Sequence, residues 1–218
     1  MKPDSQYHTR KGFTLVALLV IIAVLAILAA MLLPALAASK KKSSRLGCVN
    51  NLKQAGLAVR IWSGDNGDKY PMDVPSNLGG SKEFTTGADV FRHFLVMSNE
   101  LSTPRILVCP NDDRMAAADF AHLKNQNVSY FVGLDASETN PQMLLAGDRN
   151  ITGGSAPEKG ILKLVPGGPA GWTAAIHNHN GNVALADGSV QSFSDSGLKE
   201  AVKNSGDPTN TWRIALPE

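Results

Sequence analysis

Apolar positions are distributed very unevenly along the chain. From Gly12 to Ser39 there is no charged residue, and Phe13–Leu33 is almost wholly apolar. As a helix that stretch spans about 32 Å at roughly 1.5 Å per residue, close to the thickness of a bilayer core. Leu, Ile, Val and Ala lie on every face, so the helix must be covered all round by lipid or protein. A core helix of a soluble domain is disfavoured, because the rest of the chain could not surround it. A secretory signal peptide competes for the same residues. Arg10 and Lys11 precede the apolar run, and small residues flank Leu36 at Ala35 and Ala37. The run is too long for the usual signal core of about 7–15 residues.

Beyond Ala38 the pattern becomes one-sided. Ser39–Trp62 contains no proline, and Leu52, Ala55, Gly56 and Val59 repeat at helical spacing. The helix is therefore expected to continue with a single apolar stripe. It should end at Gly64-Asp65-Asn66-Gly67-Asp68, a run of turn formers. Tyr70–Gly80 reads as loop. Thr86 is placed to cap a helix over Ala88–Asn99, and a short helix is expected over Leu198–Asn204. Short strands are expected at Ile106–Cys109, Val128–Val132, Met143–Ala146 and Ile161–Val165. The clearest hairpin is Asn182–Ala186 with Ser189–Phe193. Its Asp187-Gly188 pair predicts a two-residue type I′ turn, with positive φ at both positions.

Composition narrows the function classes. The chain has 218 residues, 43% hydrophobic and 18% charged, with net charge +2. That balance, without a basic stripe interleaved with aromatics, gives no footprint for nucleic acid. The two cysteines, Cys48 and Cys109, permit at most one internal disulfide, and the absence of a CxxC pair disfavours a thiol-rich metal site. No GxSxG, HExxH or phosphate-loop pattern occurs, so neither an enzyme nor a cofactor is expected. His177, His179 and Asp187, with Asp148 as a further donor, have ligand chemistry suited to a transition metal. The simpler reading is structural: Asp187 and Gly188 turn the hairpin, and His177 fixes the preceding loop by bonding backbone or Asp187. Asp65, Asn66 and Asp68 offer oxygen ligands for calcium without a full loop signature. Lys40–Lys42 reads as a solvated face at a membrane surface, with anionic headgroups as a secondary partner.

The boundary Lys11-Gly12-Phe13-Thr14-Leu15-Val16 resembles the processing site of type IV prepilins and type II secretion pseudopilins. The resemblance implies that a membrane-embedded prepilin peptidase cuts after Gly12 and methylates Phe13. It divides the chain into a leader at 1–12, a transmembrane and assembly helix at 13–38, and an exported globular domain at 39–218. The implied fold is α+β and pilin-like, with a long N-terminal helix packed on a small antiparallel sheet. Partners would be the peptidase, other pilin or pseudopilin subunits, and the inner membrane. Pro34 sits where many family members carry a helix-kinking proline. Ala17 departs from the pattern, because the family usually places glutamate there to neutralise the amino terminus of a neighbouring subunit. A positive-inside count over Lys2, Arg10 and Lys11 against Lys40–Lys42 and Arg45 favours a cytoplasmic C-terminal region, whereas the resemblance implies export.

Four further segments are similar to a pilin-like subgroup: Cys48-Val49-Asn50-Asn51-Leu52-Lys53-Gln54, Cys109-Pro110-Asn111-Asp112, Leu145-Ala146-Gly147-Asp148-Arg149-Asn150, and His177 followed after nine residues by Asp187-Gly188. Export implies an oxidising compartment, in which Cys48 and Cys109 are expected to form a disulfide, with two buried free thiols as the alternative.

Overall fold

The computed structural model describes residues 15–154, 156–205 and 211–218. The chain separates into two compact units, Met1–Lys42 and Ser43–Glu218. The helix α1, Leu15–Asp65, supplies the described part of the first unit and opens the second. Its extent agrees with the proline-free run beyond Ala38. Pro34 lies inside it, and lacking an N–H it cannot donate to the carbonyl one turn earlier.

The second unit is built on an antiparallel sheet. Its strands are β1 Tyr130–Gly133, β2 Leu144–Asp148, β4 Ile161–Leu164, β6 Asn180–Leu185, β7 Val190–Ser194 and β8 Trp212–Ala215, in the order β4-β8-β1-β2-β6-β7. A separate pair joins β3 Ile151–Gly153 to β5 Ala170–Trp172. Among the described residues three short α-helices complete the unit: α2 Val90–Leu95, α3 Ser98–Leu101 and α4 Asp195–Lys203.

Successive side chains of a strand point to opposite faces, and here both faces are covered. Tyr130 and Val132 join one core with Leu52, Ala55, Val59 and Trp62 of α1. Phe131 between them joins another, with Leu164, Leu198, Val202 and Trp212. In β6, Ala184 faces the α1 side, while Val183 and Leu185 face the α4 side. The stripe read from sequence is thus the seat of the sheet: Leu52 is fully buried, Ala55 nearly so, and Gly56 faces Ala184. Each fully buried large side chain contributes about 1.5–3 kcal/mol. α4 starts at Ser194, whose hydroxyl accepts the Gly197 N–H, and buries Leu198 and Val202.

Several expectations are corrected. Ile106–Cys109 is not a strand; Pro104–Leu107 forms a 3-10 turn, with Pro104 at its first position and Thr103 as its cap. The helix expected over Ala88–Asn99 is split into α2 and α3, and α2 is entered through Asp89 while Thr86 ends an earlier 3-10 turn. Tyr70–Gly80 contains two 3-10 turns, Pro71–Asp73 and Ser76–Leu78. The hairpin β6–β7 closes with three loop residues, Ala186-Asp187-Gly188. Gly188 N–H donates to Leu185 O at 2.9 Å, and Leu185 N–H to Ser189 O at 2.8 Å. Of the pair, Gly188 alone takes positive φ, at 85°. This is a bulged loop with glycine in the left-handed position rather than a two-residue type I′ turn.

Candidate functional site

Two regions carry chemistry, one in each unit. In the first, Leu15–Pro34 is apolar and long enough to cross a membrane, and none of it is buried within the chain. Leu19, Val20, Ile22, Leu25 and Leu28, spread around the helix, are each more than half exposed. Water disfavours so large an unbroken apolar surface, so the helix calls for lipid or packed protein around it. Ala17 lies in the first described turn. Gly12 and Phe13 lie outside the described residues.

The second region is a buried polar cluster assembled from four distant segments. α1 supplies Cys48 and Asn51. The turn after Leu107 supplies Cys109, Asn111 and Asp112. The end of β2 supplies Asp148, followed by Arg149 and Asn150. The loop entering β6 supplies His177.

Cys48 and Cys109 are joined as a disulfide across 61 residues, with Cα atoms 4.8 Å apart. In the chain-entropy description a loop of that size is worth about 4 kcal/mol. Asn51 Nδ2 donates to Val108 O at 2.9 Å, a second tie between α1 and the same turn. Arg149 clamps the turn from the other side. Its Nε donates to Asp112 Oδ2 at 2.8 Å, and its Nη2 reaches both Asp112 Oδ1 and Asp113 Oδ1. Although burial opposes it, this bonding draws the Asp112 carboxyl down to about 2.

His177 occupies the centre. Its Nε2 lies 3.4 Å from Cys109 Sγ and 3.3 Å from Asp148 Oδ2, and its Nδ1 lies 3.1 Å from Asn111 Nδ2. With the Asn111 amide nitrogen facing it, Nδ1 accepts, and in that amide orientation the proton of a neutral ring is on Nε2, facing Asp148. Asp148 Oδ2 also accepts the backbone N–H and Nδ2 of Asn182, at 2.7 and 2.9 Å. Burial dominates both titrations: it pushes Asp148 up to about 7 and His177 down to about 4. His177 is therefore neutral at pH 7, and the pair behaves as a hydrogen bond more than an ion pair.

The expected junction of His177 with Asp187 is not formed. The two residues flank opposite ends of β6, and among the described residues no contact joins them. Asp187 is exposed; its Oδ1 accepts the Ser189 N–H at 2.8 Å, and its carbonyl accepts from Arg60 Nη1 at 2.6 Å. His179 turns away and bonds Trp172 O. The left-handed φ of Asn178 and His179 (52° and 60°) makes the tight entry to β6 that separates the two histidines. Of the residues weighed as metal donors, Asp148 and His177 come together with the two cysteines, whereas His179 and Asp187 do not. Asp65, the last residue of α1, and Asp68 in the turn after it are exposed, and Asn66 between them bonds Trp62 O. Sequence reading set Asp148 beside His177 only as a further metal donor, and took Asp187 or backbone as the hydrogen-bond partner. The signal lay in the four resembling segments taken jointly, because each contributes to this one cluster.

The family model described as the prokaryotic N-terminal methylation motif matches residues 7–33. The match supports a type IV pilin-like prepilin, and the structure is α+β, with an apolar helix ahead of a small antiparallel sheet in chain order. The motif implies processing by prepilin peptidase, supports anchoring in a membrane and points to a structural subunit. No curated protein and no solved structure shows significant similarity to the chain.

Proposed function

We propose that the chain is a structural subunit, a pseudopilin or minor pilin, of a type II secretion or type IV pilus system. The observation that carries this reading is the methylation motif running directly into an apolar helix with no covering of its own. Prepilin peptidase removes residues 1–12 by cutting after Gly12, and methylates Phe13. Residues 13–38 hold the chain in the inner membrane as a single pass, and the region from 39 onward lies in the periplasm or cell envelope. Assembly transfers the helix from lipid into a bundle of other pilin or pseudopilin helices. Lipid and bundle are similarly apolar, so the transfer has little hydrophobic cost, and close packing decides its direction.

Ala17 favours a second reading, a membrane-tethered envelope binding module that never polymerises. A methyl group at this position cannot neutralise a neighbouring amino terminus, and a buried charge needs a partner. Shearing filaments from cells and probing for this chain separates the two readings. A subunit co-purifies with the filament or crosslinks to its other subunits; a tethered module stays wholly with the membrane.

A further inference from the structure

We propose that, in the dithiol state of the chain, Cys48, Cys109, His177 and Asp148 form a four-ligand zinc site, so that a disulfide and a bound metal are alternative fates of the same two cysteines. One ligand atom from each residue falls within 4.8 Å of the others, and all four residues are buried. His177 Nε2 is already 3.3 Å from the Asp148 carboxylate and 3.4 Å from Cys109 Sγ. Those two distances match edges of a tetrahedron around zinc, whose bonds of about 2.0–2.3 Å put neighbouring ligand atoms roughly 3.3–3.8 Å apart; breaking the disulfide frees its two sulfurs to move apart toward the same spacing. Two thiolates, an imidazole and a carboxylate suit zinc better than a hard cation.

The surroundings fit independently. Asp148 is fully buried, and its Oδ1 has no hydrogen-bond partner among the described residues, while its Oδ2 is steadied by Asn182. A cation at the centre would lie against that buried, unpartnered carboxylate oxygen. A zinc-bound imidazole needs an acceptor for its other N–H. Asn111 stands 3.1 Å from Nδ1, and turning its amide presents Oδ1 there. The donors come from α1, the turn after Leu107, β2 and the loop before β6, so a metal would tie together the segments that the disulfide and the Arg149 clamp join in the oxidised chain.

Entering the dithiol state requires a dithiol reductant. Thiol–disulfide exchange breaks the Cys48–Cys109 bond, places two electrons and two protons on the pair, and leaves the reductant as a disulfide. Zinc binding then releases the two thiol protons to solvent.

The test uses the full chain in detergent micelles. It is unfolded and reduced with dithiothreitol, freed of reductant, and refolded without oxygen in the presence of Zn(II), with thiol counting as a check. The expected result is one zinc per reduced chain and none on the oxidised chain. Co(II) should give the intense visible bands of a four-coordinate site together with thiolate-to-metal charge transfer. His177→Gln and Asp148→Asn should each weaken zinc binding at least ~10-fold, while His122→Gln, at an exposed histidine, should leave it unchanged. The cobalt spectrum of the unsubstituted chain stands even if a variant misfolds. The proposal is overturned by a reduced chain that takes up no zinc or fails to refold with it, by a weak six-coordinate cobalt spectrum, or by unchanged affinity in both ligand variants.

Discussion

His177 Nε2 lies 3.3 Å from Asp148 Oδ2, with the two side chains 1% and 0% exposed. Asp187, the acidic residue nearer in sequence, is exposed and serves its own hairpin loop. The two carboxylates therefore predict different costs. His177→Ala should destabilise the disulfide-bonded protein by about 1–2 kcal/mol, the value of a lost buried hydrogen bond. Asp187→Ala should stay within about 0.5 kcal/mol, as surface changes usually do. Denaturant unfolding of the two variants checks the order; equal losses would restore Asp187 as the partner that matters.

Gly188 holds φ at 85°, and a Cβ placed there would stand 3.2 Å from Arg60 Cδ. Gly188→Val is expected to cost at least about 1–2 kcal/mol, because a β-branched residue resists the left-handed region. Gly188→Asn should cost clearly less. A melting temperature equally lowered by both would place the cause in the contact with Arg60 instead of in φ.

His93 on α2 is fully buried, with Nδ1 2.8 Å from Ser81 Oγ, and burial pushes its pKa from 6.5 down to about 4. Between those values the unfolded chain binds the proton and the folded chain does not. Its contribution to stability is therefore complete above about pH 6.5 and is lost as pH falls through about 4, at most roughly 3 kcal/mol. His93→Gln should flatten the fall in stability between pH 7 and pH 4 relative to the unsubstituted protein. Parallel urea-stability profiles for the two proteins would show that His93 is not the group titrating.

Ala17→Glu introduces the carboxylate that, on the proposed reading, would neutralise the amino terminus of a neighbouring subunit. It should raise the share of the chain recovered with sheared filaments, measured by immunoblot against the membrane fraction. An unchanged share with normal processing would mean that Ala17 is compatible with assembly.

Much of the fold was legible because its signals are local. Leu52, Ala55 and Val59 mark a stripe by spacing alone, and that stripe meets the sheet. Strands β1 and β2 were found as short apolar runs. The same doubly buried character hid which face each side chain would take: Tyr130 and Phe131 are both fully buried, on opposite sides. Strand β8, four residues long, is too short to show alternation; its place between β4 and β1 follows from pairing with Ile161–Leu164 and Val132-Gly133. The apolar run at Ile106–Cys109 suggested a strand, but Pro104 favours the turn that forms.

The buried cluster was legible only as separate pieces. Asp187 attracted the reading because only nine residues separate it from His177 in the chain. The actual partner, Asp148, is brought in by the pairing of β2 with β6, in which Gly147 stands opposite Val183. Nothing local to His177 encodes that register, whereas the Cys48–Cys109 bridge was legible because the chain holds only two cysteines.

Mass spectrometry of the amino terminus, on chain produced in cells with an active prepilin peptidase, bears most directly on the central claim. The apolar helix and the motif over residues 7–33 predict a mature protein that begins with N-methylphenylalanine at Phe13 and retains the apolar helix. A chain still beginning at Met1 in those cells, or one beginning near Ala38 after removal of the whole apolar segment, would contradict it.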